Sequence, residues 1–210
     1  MENNIEKKVD IKEFENCKTT SWDFGNNILY ALCKKYSDHK DRDKIRAKIW
    51  LIGKSYSASI ERRKNKKKDE TNDKFYNRVV NEMFEFNRKI KLDKRLQQLK
   101  NKELNEENLK EILFIHKQLV DLFRKLTEQD KRSLASKYLH FHCNIFPIYD
   151  SIAEDTISRV LGVIDEEKRD YKNVDWEYAH FCYKFLILYN YLKNKGKKPT
   201  IRQIDNYLTT

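Results

Sequence analysis

Apolar side chains recur at three- and four-residue spacing along most of this chain, a period that predicts one helix after another with short polar breaks. From Ser21, the residues Trp22, Ile28, Leu29, Leu32 and Tyr36 form the inward face of a first helix, closed by the loop Ser37-Asp38-His39-Lys40. A second, from about Asp41 to Arg63, turns Ile45, Ile49, Ile52, Tyr56 and Ile60 inward. Gly53 in its interior costs helix propensity and so marks a close contact. Thr71 to Asn87 repeats the period with Phe75, Val79, Val80, Met83 and Phe86, and Ile90 to Leu99 is a shorter, very basic amphipathic segment. Asn105 suits the N-cap of a helix through Leu126, with Leu109, Ile112, Leu113, His116, Leu119, Val120 and Phe123 on or near one face. Beyond an acidic connection at 165–175, Trp176 to Asn194 is the most apolar stretch, with Phe181, Phe185, Leu188 and Leu192 as its spine and Trp176 expected inside. Gly196-Lys197-Lys198-Pro199 stops it, and Thr200 caps a last helix through Leu208.

The pattern therefore predicts an all-α protein of eight or nine helices in one compact or two-lobed body. Residues 1–20 read as a polar, loosely held segment. Residues 21–208 read as the helical domain, with a basic insertion at about 62–104. Composition agrees: 4 Gly and 2 Pro are too few for the turns of an all-β fold, and 11 Phe and 12 Tyr supply an aromatic core.

Charge adds a partner. The net charge is +11, and residues 61–102 carry 15 basic and 7 acidic residues, so +8 of the excess lies in one fifth of the chain. An anionic partner follows, with nucleic acid favoured over a membrane. The run Arg62, Arg63, Lys64, Lys66, Lys67 and Lys68 is its densest part. A Lys-rich, Asn-rich composition of the kind AT-rich genomes encode accounts for net charge almost as well; the clustering is what favours a nucleic-acid surface. Cys17, Cys33, Cys143 and Cys182 are scattered without C-x-x-C spacing, so no zinc site, redox motif or other cofactor is expected. No apolar signal segment follows Met1 and no run reaches membrane-span length, so a cytoplasmic protein is expected.

The densest motif is Ser136-Lys137-Tyr138-Leu139-His140-Phe141-His142-Cys143-Asn144-Ile145-Phe146-Pro147-Ile148-Tyr149-Asp150-Ser151. Leu134, Tyr138 and Phe141 at i, i+4, i+7 end a helix, Pro147 holds Phe146 extended, and Asp150 stands where the next helix, Ile152 to Leu161, begins. A carboxylate there caps free amide hydrogens or projects into whatever lies in front of the helix. His140 and His142, two residues apart, make no metal pair on a helix, although His142 beyond the helix end could approach Asp150.

A helix, a tight apolar connection and an Asp opening the next helix resemble the scaffold of helix-hairpin-helix DNA glycosylases. The resemblance implies a DNA glycosylase-like fold in which Asp150 activates water or stabilises charge on the sugar as a base leaves. It also implies a nucleophilic Lys near the start of the preceding helix in bifunctional members. Lys131, nineteen residues before Asp150, matches that placement roughly; Lys137 is thirteen before. The chain departs from the family at Thr127-Glu128-Gln129-Asp130-Lys131-Arg132-Ser133, where a Gly-x-Gly phosphate-gripping turn would stand and no glycine occurs.

A second motif, Trp50 to Arg63, sets small residues at Ser55, Ser57, Ala58 and Ser59, which lets another backbone approach so that Lys54, Tyr56 and Arg62 line a shared cleft. With Trp22-Asp23-Phe24-Gly25-Asn26, the Phe-Pro-x-x-Asp-Ser element and the closing Arg202-x-x-Asp205, it resembles uncharacterised bacterial proteins with no known activity. The expected function is nucleic-acid binding with excision of a damaged or modified base: Asp150 as the carboxylate and Lys54, Tyr149 and Lys137 near it. The alternatives are a helical binding or scaffold protein that has lost the site, and an RNA-directed toxin or defence factor.

Overall fold

The computed structural model describes residue 6 and residues 8–62, 71–162, 164 and 172–210. Arg63, Lys64, Lys66, Lys67 and Lys68 lie outside the described residues. Within them the chain is all-helical, with ten helices and no strand. They are α1 (Ile11–Asn16), α2 (Asp23–Lys35), α3 (Arg42–Ser55), α4 (Asn72–Ile90), α5 (Leu92–Leu99), α6 (Glu106–Thr127), α7 (Arg132–His142), α8 (Ser151–Leu161), α9 (Trp176–Asn194) and α10 (Ile201–Thr209).

Local chemistry sets most of the boundaries. Asp10, Asp41, Thr71, Asn105, Asp150, Asp175 and Thr200 each accept a hydrogen bond from a backbone N–H of the first turn they precede. Each satisfies a donor that the helix start leaves without an intrahelical partner. Lys91, at φ 58°, breaks what would be one helix into α4 and α5, and Glu128, at φ 60°, ends α6. The α6–α7 connection thus places an ordinary residue, Glu128, in the left-handed region without a glycine.

Helix α7 is the axis of the fold. It packs against α2, α3 and α6, and every residue from Leu134 to Phe141 is buried. Around it, α9 lies on α6 and α8, and α10 lies on α8 and α1. The apolar side chains form one continuous core that includes Met83, Leu92 and Leu99 from the basic stretch, so α4 and α5 are built into the body. Phe185 and Phe181 are fully buried on α9, as their spacing predicts.

Several expectations need correction. The first segment is not wholly polar and loose: α1 carries Phe14 into the core, edge-on to Tyr207 of α10 at 5.9 Å. Trp22 and Ile28 are not inward but 73% and 53% exposed; Leu29 is buried as expected, and Asn26 and Cys33 are buried beside it. Trp176 is 53% exposed and stacked on His180 at 5.2 Å, because it lies on the outer side of a first turn whose Tyr178 and Ala179 are the residues buried. The second helix stops at Ser55. Residues 56–62 then fold back over its last turn, with the Ala58 N–H donating to Gly53 O at 2.8 Å. A Cβ on Gly53 would lie 3.0 Å from Ser59 Cα, so the close contact the glycine permits is with its own chain.

Candidate active site around Asp150

A helix buried on all sides must find partners for its polar side chains within the protein. On α7 these are Ser136, Lys137 and His140, and their partners are what position Asp150. The Tyr149 N–H donates to Ser136 Oγ at 3.0 Å, and His140 Nδ1–H donates to Phe146 O at 2.9 Å. From the other side, the hydroxyl of Tyr178 on α9 donates to Pro147 O at 2.9 Å. The apolar connection 143–149 is therefore pinned to two helices, and the Asp150 backbone has one place to go.

Asp150 divides its carboxylate. Oδ1 accepts the Ala153 N–H at 3.0 Å and caps α8, whereas Oδ2 faces the Lys137 ammonium at 3.4 Å. The Asp150 side chain is 30% exposed and that of Lys137 4%. Lys137 also donates to Ser133 Oγ at 2.7 Å and lies 5.4 Å from the Tyr56 ring centre. Burial lowers its pKa, and the nearby carboxylates of Asp150 and Asp205 oppose that shift.

Behind this pair lies a group of polar residues drawn from α2, α7, α10 and the turn after α3. The Tyr56 hydroxyl donates to Asn26 Oδ1 at 2.6 Å, and the Arg202 guanidinium lies 6.0 Å from the Tyr56 ring. Arg202 in turn donates to Asp205 Oδ2 at 2.7 Å. With Nδ1 of His140 donating, its Nε2 accepts the Tyr30 hydroxyl at 2.5 Å. Burial pushes the Tyr56 phenol up to about 12 despite Arg202, and holds the His140 imidazole down to about 4, so it is neutral at physiological pH. Asp205 is pushed up to about 7: desolvation outweighs the attraction of Arg202 and Lys137, and the Asp150 charge adds to it.

The structure brings Asp150, Lys137, Tyr149 and Tyr56 together. Tyr149 contributes its carbonyl, 3.4 Å from Lys137 Nζ, and burial raises its phenol to about 12. Lys131 does not join them: it occupies the N-cap position of α7, and its ammonium donates to Arg62 O. Lys131 and Arg62, with Ser133 and Ser151, line an open cavity of about 410 Å³ beside the start of α8. Lys54 is paired with Glu61 at 2.6 Å. His142 turns away from Asp150, stacking on His39 at 4.9 Å, and His39 bridges Asp93 (2.5 Å) and the Tyr138 hydroxyl (2.8 Å).

Sequence reasoning left Asn26 and the Arg202–Asp205 pair without a role beside Asp150. Their signal was present: a polar residue on the buried face of α2, and opposite charges three apart on α10. It also missed Lys48, fully buried on α3, whose ammonium donates to Tyr36 O and Asp38 O at 2.8 and 2.9 Å. Among the described residues no group of three or more His, Cys, Asp or Glu is arranged to hold a metal ion, and no helix is long and apolar enough to cross a membrane. Compared with protein-family models, with curated proteins and with solved structures, the chain matches none of them.

Proposed function

We propose that this protein binds nucleic acid and excises a base from it by hydrolysis, with Asp150 as the carboxylate at the reacting sugar. One observation carries the reading: Asp150 spends one oxygen on its helix and keeps the other beside a buried ammonium, on a side chain solvent still reaches. A carboxylate held in this way suits the stabilisation of positive charge on a sugar ring, or the removal of a proton from attacking water. In that step the glycosidic C–N bond breaks and its electron pair leaves with the base. Water then bonds to the sugar carbon, and Asp150 takes its proton. Lys137 is too enclosed to attack the sugar itself, and acts as the counter-charge that orients Asp150. Arg62 and Lys131 on the neighbouring cavity, with the basic run that follows Arg62 in sequence, supply the attraction for phosphate.

A second reading, a non-enzymatic helical scaffold, is favoured by the fact that capping and the Lys137 contact already account for Asp150 within the fold. The two separate on Asp150→Asn. Asparagine still caps α8, but neither accepts a proton nor carries charge. With an oligonucleotide panel bearing modified bases, the enzyme reading expects base release by the wild type, its loss in Asp150→Asn, and salt-sensitive binding retained by both. Equal release by both proteins removes Asp150 from the chemistry. Binding without release by either, on every substrate of the panel, favours the scaffold.

A further inference from the structure

A cavity of about 490 Å³ opens between α2, the end of α7, the turn after α5 and the start of α10. Neither Asp150 nor Lys137 lines it, so it is separate from the site proposed for base excision. Its charge has one sign. Lys34, Lys100 and Arg202 line it, and no Asp or Glu among the described residues does. His140 and His142 share the wall but add no charge: burial holds His140 down to about 4 and His142 well below the usual imidazole range. Other lysines of this protein have carboxylate partners, such as Lys54 on Glu61 at 2.6 Å and Lys193 on Glu103 at 2.7 Å. Lys34 and Lys100 are exposed and pair with no acid among the described residues.

Helix α10 adds to the same wall. Its N-cap Thr200 and its first two residues, Ile201 and Arg202, line the cavity. Thr200 Oγ accepts the Gln203 N–H at 3.0 Å and Thr200 O the Ile204 N–H at 3.1 Å, which leaves the Ile201 and Arg202 amides without an acceptor inside the helix. The positive end of the helix dipole therefore stands on the wall that carries the three cations. Tyr30 and Phe141, whose rings lie 4.7 Å apart, give that wall an aromatic part.

The lining selects the ligand. A carboxylate, or a phosphodiester inside a strand, brings a single negative charge, whereas a phosphomonoester brings about −1.5 to −2 and three terminal oxygens. The volume is more than a bare phosphate fills and is of the size that holds a small organic ligand. A planar body can lie against Tyr30 and Phe141. We infer that this cavity binds a phosphomonoester carried on a planar ring, of the size of a nucleoside monophosphate, with Lys34, Lys100, Arg202 and the start of α10 on the phosphate. Arg202 keeps its bond to Asp205 throughout. The inference goes beyond the excision reading and does not rest on it.

Titration calorimetry on the whole chain compares adenosine monophosphate (AMP) with adenosine and with inorganic phosphate. AMP should bind at least about tenfold more tightly than either, because each of the others engages only part of the site. Lys34→Gln and Lys100→Gln, both at exposed positions, should weaken AMP binding by about threefold each and by about tenfold together. Lys89→Gln, at an exposed position of α4 outside the cavity, should leave it unchanged. Amide NMR locates the phosphate: the Ile201 and Arg202 signals should move with AMP and not with adenosine. A 5′-phosphorylated trinucleotide that binds more tightly than AMP identifies the end of a strand as the source of the phosphate, and one that binds more weakly identifies a free nucleotide; both keep the site. Adenosine or inorganic phosphate binding as tightly as AMP overturns the inference. So does any of three other results: no AMP binding at millimolar concentration, equal losses in Lys89→Gln and the cavity variants, or NMR shifts confined to residues around Asp150. None of these measurements involves base release, so failure of the excision reading leaves them intact.

Discussion

The Lys137 ammonium and Asp150 Oδ2 stand 3.4 Å apart, thirteen residues apart in sequence, and only one of the two is out of reach of water. That asymmetry decides which partner depends on the other. Asp150 can be hydrated if its neighbour is lost, whereas Lys137 would retain only Ser133 Oγ and the Tyr149 carbonyl.

Asp150→Asn should therefore destabilise the fold by about 1–3 kcal/mol even though the cap survives, because it leaves a buried ammonium short of its counter-charge. Lys137→Met alone should cost less, and the double variant should recover much of the Asp150→Asn loss. Urea unfolding of the four proteins in a double-mutant cycle measures this. Additive losses would mean that the two side chains do not interact.

Acid should unfold this protein through its histidines. Burial holds His116 down to about 3 and His140 to about 4, and lowers His39 and His142 as well, whereas an unfolded His titrates near about 6.5. Between those values the unfolded chain binds more protons, so stability present above pH 6.5 is lost as the pH falls, by about 1.4 kcal/mol per pH unit for each proton. Asp205, raised to about 7 among Arg202, Lys137 and Asp150, works the other way: its contribution is present at low pH and lost as the pH rises through 7. Asp205→Asn should thus steepen the acid loss between pH 4 and 6.5. Melting temperatures across pH 4–8 report both, and a flat profile would show that these imidazoles are not buried neutral.

On α9, Phe185 and Trp176 should respond in opposite ways to truncation. Phe185→Ala empties a fully buried position and should cost about 3–5 kcal/mol, whereas Trp176→Ala, at a half-exposed stacked ring, should cost under about 1 kcal/mol. Chemical denaturation distinguishes them, and comparable losses would place Trp176 in the core after all.

What is local can be read along the chain. A period of three to four residues is enough to predict helices, and a side chain that caps its own helix is visible three residues away, so Asn105, Asp150 and Thr200 were legible as helix starts and Phe181, Phe185, Leu188 and Leu192 as a core spine. It was also enough to predict that an Asp would open α8 after an apolar connection. What covers each helix, and what each buried polar group meets, depends on how the helices pack. An apolar residue at a helix start does not say which side of the turn is covered: Trp176 lies opposite the buried Tyr178 and Ala179, and Trp22 stands at the N-cap ahead of α2. Asn26 meets Tyr56 across 30 residues, Tyr30 meets His140 across 110, and Arg202 reaches the Tyr56 ring from the far end of the chain. No sequence spacing encodes such meetings. They follow from α7 being enclosed on every side, so that the polar groups on it and around it have only one another as partners.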